Sequence, residues 1–234
     1  MIDQLPLYVS IVFIITTLIT VWLFLRSIPR SLGDKLPARL LIFLFPFWLL
    51  LQGVLSIGDF YHNTDTFPPR VFAFGVLPVL LLIAVYFIFF RKDLVDGLSL
   101  KALTLLHVVR IPVELVLLWL FQAGQVPQLM TFEGRNFDIL SGLTAPIIYF
   151  LAFRSGKINR PLLIGWNVIA LGLLANIVAI AFLSFKSPMQ KLAFDQPNVG
   201  VTYFPFIWLP SVIVPIVLFS HLASLWKLFR NHPE

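Results

Sequence analysis

Apolar residues in this chain run in long blocks of about bilayer length, each broken by a short stretch rich in charge, Gly or Pro. The blocks fall at about 7–26, 39–59, 71–90, 101–123, 139–153, 162–185 and 206–227. Period-2 alternation is lacking, and backbone groups in lipid must be satisfied within their own segment. Each block therefore predicts a helix rather than a barrel strand. The fifth is short for a bilayer, so it is expected either to be constrained by its neighbours or to extend past its apolar limits. The pattern predicts an all-α, polytopic integral membrane protein, a bundle of seven transmembrane helices. No connection is long enough to hold a soluble domain, so 1–234 is expected to be one domain.

Composition agrees. Of 234 residues, 59% are hydrophobic and only 12% charged, against roughly 25% charged in soluble domains. Too few charges remain to coat a water-soluble globule, which excludes a soluble enzyme or a nucleic-acid binder. The net charge of +6 then reports topology. The segments after blocks one, three, five and seven hold Arg26, Arg30, Lys35, Arg39, Arg91, Lys92, Lys101, Arg154, Lys157, Arg160, Lys227 and Arg230, twelve in all. The opposite side holds four: Arg70, Arg135, Lys186 and Lys191. This bias predicts an external N-terminus, a cytoplasmic C-terminus and residence in the plasma (inner) membrane. Residues 1–6 contain Asp3 and no basic residue, and the first block lacks a cleavage site, so it is expected to be a retained helix. Cysteine is absent, which removes disulfides, thiolate nucleophiles and Cys-ligated metals.

Charge inside a span is costly, and span four reads LLHVVRIPVELVLLW. At 100° per residue His107 and Glu114 fall within about 20° of each other, with Arg110 about 60° away, so all three share one face. That face is expected to point into the bundle. Pro112 lacks an N–H and leaves the Val108 carbonyl without its helical partner beside the charges. A purely structural alternative is an Arg110–Glu114 pair at i, i+4 that fixes packing. His221 in span seven is expected at a depth similar to that of His107, so the two could in principle ligate haem or a metal. Without an HxxxH or HExxH spacing, a hydrogen-bonded His is the preferred reading.

Other polar positions are weaker. Gln52 is expected to face the polar interior; Asn167 and Asn176, nine residues apart, face opposite sides of span six, with Asn176, nearer its middle, expected inside, and Gly172, Ala175 and Ala179 form a stripe suited to close helix packing. The outer connections around 57–70, 125–138 and 186–210 suit a folded cap. They offer Asp59, His62, Glu133, Arg135 and Asp138 for chemistry, with Asn136 or Asp138 as an N-cap for span five and Arg135 expected to pair with Glu133 or an acid of another outer loop. Pro78 and Pro215 align between spans three and seven. A 3+1+3 duplication would resemble the layout of the SWEET sugar transporters, but none of their motif residues is present, and chance matching of Leu-, Val- and Pro-rich helices is the preferred reading. Nucleophile-elbow and nucleotide motifs are absent. The expected function is transport or sensing of a small molecule or ion through the span-four site. The alternatives are a membrane enzyme acting on a lipid or quinone, or an accessory subunit.

Overall fold

The computed structural model describes residue 2, residues 5–154 and residues 156–230. Asp3, part of the N-terminal reading above, lies outside the described residues. Among the described residues the structure is all-helical with no strands, save one isolated bridge between Phe185 and Asn198. Six helices are long and apolar enough to cross a membrane: α1 (Leu7–Arg26), α2 (Leu36–Ile57), α3 (Val71–Phe89), α4 (Leu100–Gln122), α6 (Arg160–Leu183) and α7 (Leu209–Phe229). Between α4 and α6 lies α5 (Ile139–Phe153), apolar but only 15 residues long. These helices fall within a few residues of the blocks read from hydropathy. Side chains fix several of the ends. Ser99 accepts from the Ala102 N–H to cap α4, and Asn159 accepts from the Leu162 N–H to cap α6, which has Pro161 in its first turn.

Burial sorts the helices. The most buried are α4 and α7, and the most exposed is α3. The site is therefore carried by the two helices with the most protein around them.

Proline shapes both. In α4 the helix tightens into a 3₁₀ turn at His107–Val109, just before Pro112. Pro78 and Pro215 occupy the same place in α3 and α7. Each helix opens with a wide π turn, Val71–Val76 or Leu209–Ile213, and the proline follows within two residues. A proline leaves the carbonyl four residues earlier without its helical N–H, and in an apolar surround that carbonyl needs another donor. Two side chains one turn apart on α2 supply it. Gln52 Nε2 donates to the Phe74 carbonyl (3.1 Å), and Trp48 Nε1 donates to the Ser211 carbonyl (2.9 Å). Thus α2 stitches α3 to α7 at the two positions where proline opens them.

The connections are tied down at both ends. At one end Lys35 pairs with Asp93 (3.2 Å), Trp226 Nε1 donates to Asp96, and the guanidinium groups of Arg91 and Arg230 lie over the Trp226 ring. At the other end Ser56 Oγ donates to the Thr202 carbonyl, and Gln196 Nε2 donates to the Phe121 and Val126 carbonyls. The segment 186–208 is therefore a folded cap.

Candidate functional site

Arg110 is the eleventh of the 23 residues of α4 and is only 2% exposed. Its Nη1 donates to Asp138 Oδ1 (2.9 Å) and to the Ala170 carbonyl of α6 (3.3 Å), while Nη2 lies 2.9 Å from His221 Nε2 of α7. One guanidinium thus ties α4 to the start of α5, to α6 and to α7. The ion pair of Arg110 is with Asp138, not with Glu114 at i+4. Glu114 turns to Asn136, whose Nδ2 lies 2.6 and 2.7 Å from the two carboxylate oxygens and also donates to the Met130 carbonyl (3.0 Å). Asn136 Oδ1 in turn accepts from the Asp138 N–H, so one asparagine positions both carboxylates.

This explains the short fifth helix. Asp138 holds the N-cap position but caps nothing with its side chain, because its carboxylate is committed to Arg110. The start of α5 is therefore fixed opposite the middle of α4, and residues 125–138 run back beside the C-terminal half of that helix. Non-helical backbone survives there because it is bonded within itself, with Met130 N–H to Pro127 O and Asn136 N–H to Thr131 O.

The hydrogen bonds of His221 fix its tautomer. Arg110 can only donate, so Nε2 accepts, and the ring proton sits on Nδ1, which meets Asn167 Oδ1 at 2.8 Å. Asn167 Nδ2 passes the chain on to the Leu163 carbonyl. His107 lies face to face with His221, with ring centroids 4.0 Å apart and 18° between planes, and edge-on to Trp166. Both ring nitrogens of His107 are buried without a partner, as are Arg110 Nε and Ser141 Oγ. The two imidazoles do share a depth, but they do not fit a haem or metal. Nitrogen lone pairs lie in the ring planes, and stacked rings cannot aim them at one ion. Both nitrogens of His221 are also already engaged. No cluster of three or more His, Cys, Asp or Glu suited to a metal occurs among the described residues.

Other expected positions fall differently. The interior asparagine of α6 is Asn167, whereas Asn176 is exposed and donates to the Arg135 carbonyl. The Gly172, Ala175 and Ala179 stripe is also exposed, and among the described residues nothing lies within 4 Å of a Cβ placed at Gly172. Gln52 is fully buried, yet its polar atoms are spent on the Phe74 carbonyl and the Tyr61 hydroxyl (2.6 Å). It belongs to the α2–α3 stitch rather than to the Arg110 cluster. Burial pushes the Tyr61 hydroxyl up to about 12, so it stays a donor through the neutral range. The outer-cap residues do not converge. Asp59 pairs with His62 (2.9 Å), whose ring packs on Tyr203. Glu133 and Arg135 are exposed and make no ion pair among the described residues, against the expected pairing of Arg135, and Asp138 is drawn inward. Sequence reasoning missed the roles of Asn136 and Asn167. Each carried a signal, since an amide near a span containing three ionisable side chains is a natural partner for them.

A cavity of about 120 Å³ adjoins the cluster among α3, α4, α6 and α7. Its walls are apolar apart from Glu114, Asp138 and Asn198. Asn198 Nδ2 donates to the Ala181 carbonyl (3.2 Å), and its Oδ1 is buried without a partner.

Six helices of spanning length around a buried charged centre define a helical, multi-pass membrane protein. The chain belongs to the family described as a domain of unknown function, DUF8737, whose model matches residues 68–229. That match runs from the start of α3 to the end of α7 and so contains the whole Arg110 cluster. No curated protein and no solved structure matches the chain.

Proposed function

We propose that the protein transports or senses a small molecule or ion at the Glu114–Arg110–Asp138 centre. In this reading it crosses the plasma membrane seven times, with the N-terminus outside and the C-terminus in the cytoplasm. The carrying observation is a charge count. Glu114, Asp138 and Arg110 are 1%, 5% and 2% exposed, which places two carboxylates against one guanidinium. His221 is neutral by its hydrogen bonds, and an imidazolium at His107 would bury two unaccepted donors close to Arg110. An uncompensated charge in a low-dielectric interior is expensive, so one exchangeable proton or small cation completes the site. Glu114, held by neutral Asn136 rather than by Arg110, is the carboxylate that exchanges it. The accessory-subunit reading draws support from the density of pairing around Arg110, and it requires the centre to be inert.

Infrared difference spectroscopy on the purified protein separates the two. Exchange at Glu114 predicts a carboxyl band that responds to pH, or to replacing sodium by choline, and that is missing from Glu114→Gln. Carboxyl bands indifferent to both would make the centre a permanent brace and overturn the proposal. Topology has its own test in the cysteine-free background. A membrane-impermeant maleimide should label Asp65→Cys and Asp195→Cys in intact cells, but Asp34→Cys and Lys157→Cys only after permeabilisation. The bundle supports this arrangement by gathering Lys35, Arg91 and Arg230, from the segments after α1, α3 and α7, at one end. The seventh crossing is α5 together with the segment 125–138.

A further inference from the structure

The cavity beside Glu114 has a chemical polarity of its own. Its wall is hydrocarbon over most of its area, from Val113 of α4, Phe72 of α3 and Ile177 of α6, among others. The polar groups that interrupt this wall are two carboxylates and an amide. The amide nitrogen of Asn198 is already committed to the Ala181 carbonyl, which leaves its buried, unpartnered Oδ1 as the available atom. With Glu114 and Asp138 ionised, the side-chain oxygens of these three residues are all acceptors. An occupant that satisfies them must donate, and one that balances the two carboxylates against Arg110 must carry a positive charge. The rest of it must be apolar. A volume of about 120 Å³ is close to the roughly 150 Å³ of an engineered apolar cavity that takes up benzene, so the apolar part is about the size of one ring. The wall also includes Val178, which is 43% exposed on the outer face of α6. The cavity thus reaches the surface that faces lipid, where an amphiphile would already be concentrated.

We infer that this cavity binds a small lipophilic amine as its ammonium ion, with the hydrocarbon part between α3 and α6 and the N–H donors on the carboxylates of Glu114 and Asp138. This names the substrate class of the exchange site proposed above and rests on that reading. The amine takes the place of the proton or inorganic cation that otherwise neutralises Glu114. An aliphatic or aromatic anion is repelled by the same two carboxylates, and a neutral alcohol of equal size leaves the charge imbalance unrelieved.

Benzylammonium, benzyl alcohol and phenylacetate form a matched set of cation, neutral and anion probes. Titration calorimetry of the purified protein should find benzylammonium bound at least tenfold more tightly than benzyl alcohol, with phenylacetate silent. Glu114→Gln should weaken benzylammonium about tenfold or more and leave benzyl alcohol unchanged. Ile177→Phe, remote from the polar cluster, should abolish binding of both by filling the cavity while the Glu114 carboxyl band still responds to pH. It keeps the test decisive if Glu114→Gln fails to fold. Equal affinities for benzylammonium and benzyl alcohol would reveal an apolar void without charge selection and overturn the inference. Absence of benzylammonium binding while the Glu114 band still titrates would also overturn it, yet leave exchange at Glu114 standing. A Glu114 band indifferent to pH, sodium and benzylammonium would remove both.

Discussion

Neutralising one or the other member of the Arg110–Asp138 pair should have unequal effects, and the charge count fixes the order. Asp138→Asn keeps an oxygen where Arg110 Nη1 now finds Oδ1 at 2.9 Å, and it leaves one carboxylate, Glu114, against one guanidinium. The change replaces an ion pair with a hydrogen bond from the same charged guanidinium to a neutral amide oxygen, which keeps the bond and gives up the charge–charge part of the contact. The expected loss is about 1–2 kcal/mol. Arg110→Met removes three contacts at once, to Asp138, the Ala170 carbonyl and His221 Nε2. It also strands the Asp138 carboxylate without its cation. Breaking a buried pair in this way costs about 3–5 kcal/mol. For a chain of this size each kcal/mol shifts the melting temperature by roughly 2–4 °C. Asp138→Asn should therefore melt about 2–8 °C below the wild type and Arg110→Met about 6–20 °C below it. Intrinsic tryptophan fluorescence at one fixed heating rate measures both, and the fixed rate matters because membrane proteins commonly unfold irreversibly. Equal shifts, or a larger loss in Asp138→Asn, would refute the count of two carboxylates against one guanidinium.

Other consequences are testable in the same assay. Trp48→Phe and Gln52→Leu each strand a proline-freed carbonyl, and each should cost about 1–3 kcal/mol; a neutral effect would show that those carbonyls find other donors. A Cβ at Gly134 would sit 2.1 Å from the backbone oxygen of Gln128, so Gly134→Ala should dislodge Asn136, lower the melting temperature and expose residues 125–138 to limited proteolysis, which should spare that segment in the wild type. Tyr61 is raised from 10.0 to about 12, so its contribution to stability is complete below pH 10 and is lost as pH climbs through 12. Tyr61→Phe should flatten that alkaline loss in a stability–pH profile, and an unchanged profile would place the transition elsewhere.

The helices were legible because lipid permits one response to a long apolar block, and the limits of α1 and α5 were matched to the residue. The inward face of α4 was legible for the same reason, since three ionisable groups 60° apart or less have no other place to go. The partners were not legible. Arg110 at i and Glu114 at i+4 invited a pair, but both reach from α4 to the segment before α5, which the sequence reads as part of a cap over the bundle rather than as a partner to the middle of α4. Periodicity placed Asn167 and Asn176 on opposite faces of α6 without saying which face meets α7, and depth alone suggested the wrong one. The stitching by α2 was half visible. Pro78 and Pro215 announce freed carbonyls at Phe74 and Ser211, but nothing in the spacing of α2 says that Trp48 and Gln52 reach them.

The partner of Arg110 comes after α4 in the chain, and this bears on how the protein is made. When α4 emerges during synthesis it carries a guanidinium and a carboxylate, each costing about 2.5–3.5 kcal/mol near the centre of a lone helix, a large fraction of what its leucines and valines return at about 0.3–0.6 kcal/mol apiece. Asn136 and Asp138, which relieve that cost, are synthesised only after 14 and 16 further residues beyond Gln122. The helix is thus at its least comfortable in lipid just before the residues that settle it arrive. Integration of α4 and α5 as a single hairpin, with the polar segment between them carried in, avoids that interval. The order of synthesis thus predicts that a chain arrested before Asp138 leaves α4 less firmly integrated than one that extends past it.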